Sequence, residues 1–249
     1  MGVLGLLGFA SFVLVSLAVG ARLLLLARRT RELPEAVIGA ALFFGGGVGY
    51  TLVVLGLRVL GPGSEAAPAA LLVGNAFVHG GSLALAVGTW RIFRPAERWP
   101  LALGAAIASL LAFSYALRIA HAREIPPPPA VFWTSTIAGG AVYLWAAAES
   151  LATWSNLRRR LALGLADAAV VRRVGLWGVG CASAVGMHVT SMVARALVGD
   201  AMPPLSVAAS SLLGFVAAIA IGLAFFPGGR PAPAPAVTGT TATGSGSAV

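Results

Sequence analysis

The feature that most constrains this chain is a succession of long apolar segments with almost no charge inside them. About 20 apolar residues suffice for a helix to cross the hydrocarbon core of a bilayer. Seven such segments are present, at roughly 3–26, 36–60, 69–90, 100–120, 130–151, 174–197 and 205–226. Of the 249 residues, 58% are hydrophobic and 10% are charged, which leaves too little polar surface to cover a soluble domain. The sequence therefore predicts an all-α integral membrane protein with a seven-helix transmembrane domain over residues 1–226.

The basic residues predict how this bundle is oriented. All 17 are arginines, which excludes a lysine Schiff base such as the one that attaches retinal, and most fall in alternate loops. Because cytoplasmic loops carry an excess of basic residues, we expect the N-terminus outside and the C-terminus in the cytoplasm, across a bacterial inner membrane. The arginines flank apolar segments instead of lining one soluble face, so membrane lipid is an expected partner and nucleic acid is not.

The last residues, 227–249, are rich in Pro, Ala, Gly, Thr and Ser and have no apolar periodicity. We expect them to form a disordered cytoplasmic tail. The chain has no HExxH, GxSxG, Walker or CxxC motif and no pair of carboxylates within a span, so the sequence does not predict an enzyme.

Polar side chains interrupt the third and sixth apolar segments. Asn75 and His79 share one helix face on the third, and His188, Ser191 and Arg195 share one face on the sixth. At 1.5 Å per residue, both histidines lie roughly 15 Å below the predicted outer helix ends. An unpartnered polar group in hydrocarbon is costly. We therefore expect these five side chains to line an outward-opening pocket that binds a small molecule.

The two histidines allow several kinds of site. His79 and His188 are candidate axial ligands of a haem iron, or ligands of copper with Met187 or Cys181 nearby. They are equally candidates for hydrogen bonds between helices, with Asn75, Tyr50, Tyr115 or Ser210 as partners.

The string GMHVT, residues 186–190, resembles the Met-His-Tyr-Thr signature of MHYT-type bacterial membrane sensors. The resemblance rests on Met187, His188 and Thr190, with Val189 in place of the tyrosine, and no other hairpin carries a Met-His pair. That family is thought to bind a metal near the outer face, so the resemblance implies such a role for His188. Because it covers three positions of one segment, it assigns no family.

Charged residues near the ends of the segments are expected to face lipid phosphates or to form ion pairs. Those predicted near the outer ends are Arg58, Arg118, Arg123 and Arg195, with the acids Glu65, Glu124 and Asp200. Near the cytoplasmic end, Glu149 is expected to pair with Arg91 or with one of Arg158–Arg160.

Three functions follow from these features. The first is a receptor or sensor that binds a small molecule in the outward-opening pocket and signals to a cytoplasmic or membrane protein partner through its basic loops. The second is a small-molecule or lipid transporter, favoured by the glycine clusters GGGVG and GLWGVG and by a candidate repeat of 36–58 in 101–123. The third is a bis-histidine haem or metal-binding membrane protein.

Overall fold

The computed structural model describes residues 3–61, 63–199 and 203–226, and within those ranges it contains helices but no strand. The helices are α1 Val3–Thr30, α2 Leu33–Leu60, α3 Ala66–Phe93, α4 Trp99–Ala120, α5 Pro129–Ala162, α6 Ala168–Val198 and α7 Pro204–Phe225. All seven are long and apolar enough to cross a membrane, which confirms the predicted all-α bundle. The expected tail at 227–249 lies outside the described residues, and the sidedness of the termini stays a prediction.

The helices are arranged as a ring with one helix outside it. Around the ring the order is α1, α2, α3, α5, α6 and α7, and α7 packs back against α1. Helix α4 lies outside, against α3 and α5. Buried side chains from all seven helices form one apolar core cluster, which includes Val19, Leu42, Val142 and Ile221.

The two ends of the bundle differ in charge. The basic end carries the connections at residues 31–32, 94–98 and 163–167, and it holds most of the arginines. The opposite end carries the connections at residues 61–65, 121–128 and 199–203.

Glycines let α2 fit tightly between α1 and α3. A Cβ atom added at Gly45 would lie 3.0 Å from the Cα atom of Gly81 on α3, and one added at Gly46 would lie 2.8 Å from the hydroxyl of Ser16 on α1. The backbone is π-helical over Ala41–Gly49. The expectation that the GGGVG cluster permits close helix approach is therefore confirmed.

The α5–α6 hairpin projects beyond the α3–α4 connection at the basic end. The ring of Trp99, the first residue of α4, lies 6.0 Å from that of Trp145 on α5, and Arg94 after α3 lies 2.9 Å from Glu149. From that level α5 continues to Ala162, about 20 Å further at 1.5 Å per residue. Both helices therefore extend past the apolar segments at 130–151 and 174–197 into the basic segment between them.

Candidate functional site

Packing changes abruptly along the two helices that hold the GMHVT segment and its neighbour. On α6, eight of the residues 171–184 are buried and none of the residues 185–193 is. On α7, six of the residues 214–224 are buried and none of the residues 204–213 is. In each helix the loosely packed half is the one nearer the opposite end of the bundle.

The helices nevertheless stay in contact through this loosely packed half. A Cβ atom added at Gly186 on α6 would lie 3.0 Å from Leu213 on α7, and one added at Gly139 on α5 would lie 3.1 Å from His188. This loosely packed region, formed by residues 185–193 of α6, residues 204–213 of α7 and the facing part of α5, is called here the cleft.

Tyr50 on α2 packs against α1. Its ring centroid lies 5.5 and 5.7 Å from those of Phe9 and Phe12. Its residue surface is 39% exposed.

His188 lies against α5, where two consecutive glycines make room for it. Its ring centroid is 5.7 Å from that of Tyr143, with the two planes tilted by 33°. Cβ atoms at Gly139 and Gly140 would lie 3.1 and 3.5 Å from atoms of the His188 side chain. The imidazole is half-buried. It therefore has a fixed aromatic neighbour and an accessible side.

The other predicted side chains of α6 have partners of their own. The Ser191 hydroxyl donates to the carbonyl of Met187 at 2.9 Å, within the same helix. The Arg195 guanidinium donates to the carbonyl of Pro127 at 3.3 Å and lies over the ring of Phe132, 5.1 Å from its centroid. Arg195 therefore links α6 to the connection between α4 and α5 at the opposite end.

Asn75 and His79 lie one turn apart on α3, and His79 contacts a different helix, α4. The His79 ring packs edge-on against Tyr115 of α4, with centroids 5.9 Å apart, and its buried Nδ1 atom forms no well-aligned hydrogen bond. The Asn75 amide donates to the carbonyl of Leu71 at 2.7 Å. The structure thus places the His79 ring against α4, whereas the His188 ring and the Arg195 guanidinium contact α5 and the connection before it.

This grouping bears on the metal and cofactor predictions. Among the described residues, no cluster of three or more His, Cys, Asp or Glu side chains is positioned to hold a metal ion. Cys181 is buried, two turns from His188 on α6. A shared haem or copper site between His79 and His188 stays a prediction.

A second polar cluster, at the basic end, joins the α3–α4 connection to α5. Arg94 contacts the carboxylates of Glu97 at 2.8 Å and Glu149 at 2.9 Å, and the Trp99 indole donates to Glu97. Hydrogen bonds from Arg94 first, and from Trp99 second, lower the pKa of Glu97 below its usual value. The expected partners of Glu149, Arg91 or Arg158–Arg160, were wrong, because Arg94 reaches it across the α3–α5 contact.

Arg118 also departs from the expectation for arginines at the helix ends. It is 3% exposed and donates to the backbone carbonyls of Ala122 and Glu124, both at 3.2 Å. The Glu124 carboxylate pairs with His121 at 2.6 Å. Arg118 therefore caps the end of α4 and orders the connection after it, whereas Asp200 lies outside the described residues.

Tyr143 is the residue of the cleft that sequence reasoning missed. Its signal is the string AGGAVY, residues 138–143, in which two glycines precede a tyrosine on the same helix. Tyr50 was considered only as a hydrogen-bond partner for histidine. No family model, curated protein or solved structure significantly matches this chain.

Proposed function

We propose that this protein is a membrane receptor or sensor that binds a small molecule in the cleft and passes the change to a protein partner. The observation that carries the proposal is the loss of buried positions at residues 185–193 of α6, where His188 still contacts α5. A space enclosed by helices, with a few polar groups in apolar walls, is the usual form of a small-molecule site.

The walls of the cleft indicate the kind of ligand. Tyr143 and His188 offer one phenol and one imidazole, together with their aromatic faces. No carboxylate occurs in residues 36–60 or 185–193, so a bound cation would lack a counter-charge. We expect an uncharged molecule with a flat ring and a hydrogen-bonding group.

Thermal shift measurements on the purified chain in detergent test this proposal. Flat, uncharged ring compounds are screened for a rise in the unfolding temperature, because a ligand that binds only the folded state stabilises it. His188→Ala and Tyr143→Phe should remove the rise, whereas His79→Ala should keep it, since His79 contacts α4. A rise that depends on His79 and not on His188 would place the ligand elsewhere and refute the assignment.

Transport is the second candidate, and a feature of α2 favours it. This helix is π-helical over Ala41–Gly49 and again over Leu55–Leu60, and such turns often occur at functional sites. Glycine contacts with both neighbouring helices would allow α2 to slide beside the cleft. Flux of a stabilising compound into liposomes containing the protein would select transport, and binding without flux would select the sensor.

The haem and metal alternative is separated from both by colour and metal content. A Soret band, or bound copper, lost in both His79→Ala and His188→Ala would establish a site shared by the two histidines. Loss of the band or of the metal in His188→Ala alone would locate the metal between α5 and α6. The resemblance of GMHVT to metal-binding sensors implies such a position.

A further inference from the structure

The projecting hairpin, residues 155–173, comprises the last turns of α5, the short connection and the first turn of α6. Two contacts give its height above the neighbouring helices. Arg94 and Glu149 form an ion pair at 2.9 Å, and α5 runs about 20 Å beyond it. On α6, Trp177 packs against Phe225 near the end of α7, with centroids 5.8 Å apart. Residues 168–176 of α6 therefore extend past the end of α7.

The connection at the end of this hairpin is held by caps on both sides. The Leu165 N–H donates to the carbonyl of Arg160 at 2.9 Å, and the Gly164 N–H donates to that of Leu161 at 2.9 Å. With Gly164 at φ 72°, this is the bonding of a Schellman cap. The Asp167 carboxylate caps α6 by accepting a backbone N–H at 2.7 Å. The end of the hairpin is therefore preorganised.

Apolar side chains are exposed on this capped end. Leu163 is 73% exposed, Leu165 is 72% exposed and Val170 is 45% exposed. A Schellman cap usually buries an apolar contact for the residue after the glycine. Here the matching position is Arg160, so Leu165 lacks that contact. These side chains lie beyond the apolar segments of α5 and α6, on an arginine-rich connection, and they are available to another protein.

The charge around these leucines identifies the chemistry of that protein. The hairpin has one acid, Asp167, and five arginines, which are Arg158, Arg159, Arg160, Arg172 and Arg173. A second copy of the chain would bring like charges together, which is unfavourable. A surface that carries carboxylates around an apolar groove would attract the arginines and bury the leucines.

We propose that the projecting hairpin is a docking site for a soluble protein with an acidic rim and an apolar groove. This surface would carry the signal of the proposed sensor to its partner protein, and the inference rests on the proposed function in that respect alone. Docking itself requires no ligand in the cleft, so the two proposals fail independently.

The first test locates the hairpin relative to the bilayer. Spin labels are attached at Leu163→Cys and Leu165→Cys in the full chain with Cys181→Ala, in nanodiscs with and without phosphatidylglycerol. Power saturation should report both labels as accessible to a water-soluble relaxation agent in both lipids. Labels buried in the bilayer would overturn the proposal and identify the hairpin as a lipid-binding element.

The second test uses a defined acidic partner surface. The probe is a synthetic helical peptide with glutamates on one face and leucines on the other, and its control has serine in place of leucine. The leucine peptide should bind the nanodisc protein about tenfold more tightly than the serine peptide. Leu163→Ser/Leu165→Ser should remove that difference, and equal binding of both peptides to the unaltered chain would refute the proposal.

A matched pair of charge variants separates this surface from the rest of the basic end. Arg159→Gln/Arg160→Gln should weaken binding of the leucine peptide by about tenfold, and Arg28→Gln/Arg29→Gln should change it by less than roughly twofold. Arg28 and Arg29 are also exposed arginines of the basic end, on α1. Equal losses in the two pairs would mean general attraction to positive charge and would overturn the assignment to the hairpin.

Discussion

Replacing Gly81 with alanine tests how α2 and α3 cross. A Cβ atom there would lie 2.6 Å from the Cα atom of Gly45 and 3.0 Å from the carbonyl oxygen of Ala41. Both are backbone atoms, so neither can turn away as the end of a side chain would. Gly80, the preceding residue of the same helix, is the control, because a Cβ atom there meets nothing within 4 Å.

The expected effect follows from these distances. Non-bonded carbon atoms are best placed at about 3.5–4.0 Å, so Gly81→Ala forces the two helices apart by about 1 Å. Overpacking of this kind costs about 1–3 kcal/mol. Both substitutions share the gain in helix propensity of about 1 kcal/mol, so their difference isolates the crossing. A difference of about 2 kcal/mol corresponds to roughly 4–8 °C in Tm for a chain of this size.

Cys181 provides the assay. It is the only cysteine of the chain and is 3% exposed, so it becomes reactive toward a thiol dye when the bundle unfolds. The two variants are heated with the dye in the same detergent, after circular dichroism has shown equal helix content. A Tm of Gly81→Ala within roughly 1 °C of the Tm of Gly80→Ala would refute the close crossing of α2 and α3.

Three further predictions concern other contacts of the fold. Arg94→Gln should lower Tm more than the double variant Arg94→Gln/Glu149→Gln does. The single change leaves Glu149 charged, buried and without its partner. A lower Tm for the double variant than for Arg94→Gln would contradict the pairing. Since Arg94 lowers the pKa of Glu97, this carboxylate stabilises the fold fully above its ordinary value of 4.5, and the contribution is lost as the pH falls through the lower folded value. Acidification below that value should therefore lower Tm less in Glu97→Gln than in the unaltered chain. Equal slopes of Tm against pH in the two proteins would count against a stabilising Arg94–Glu97 pair. Gly175→Ala would place a Cβ atom 2.6 Å from the indole nitrogen of Trp154 and should cost about 1–3 kcal/mol, measured by the Cys181 assay; an unchanged Tm would show that the indole moves freely.

The number and position of the spans were predictable because an apolar run of sufficient length has one stable solution in a bilayer. The ends of α5 and α6 were not found by the same rule. Residues 152–173 are too basic to register as membrane-spanning, but alanine, leucine and arginine are good helix formers, and Gly164 and Asp167 supply the caps. The caps at Gly164 and Asp167 indicate that both helices extend into this segment.

The candidate site was predictable only in part. His188 and Arg195 are conspicuous in an apolar helix, and both make contacts that organise the neighbouring elements. Tyr143 was missed because a tyrosine is unremarkable in a membrane helix, and its contact with His188 depends on which helices are neighbours. Packing over the whole bundle decides which helices lie next to α3 and α6. No local sequence pattern therefore predicts that His79 packs against α4 whereas His188 packs against α5.

The contact between α1 and α7 has a consequence for how the protein is made. These are the first and last helices among the described residues, yet they approach closely, since a Cβ atom at Gly8 would lie 2.6 Å from the Ser211 carbonyl oxygen. During biosynthesis, the first six segments enter the bilayer before their final neighbour has been translated. A nascent chain halted before residue 204 would expose the inner side of α1 and α6 to lipid, so the contacts of these helices with α7 would form only after residues 204–225 have been synthesised.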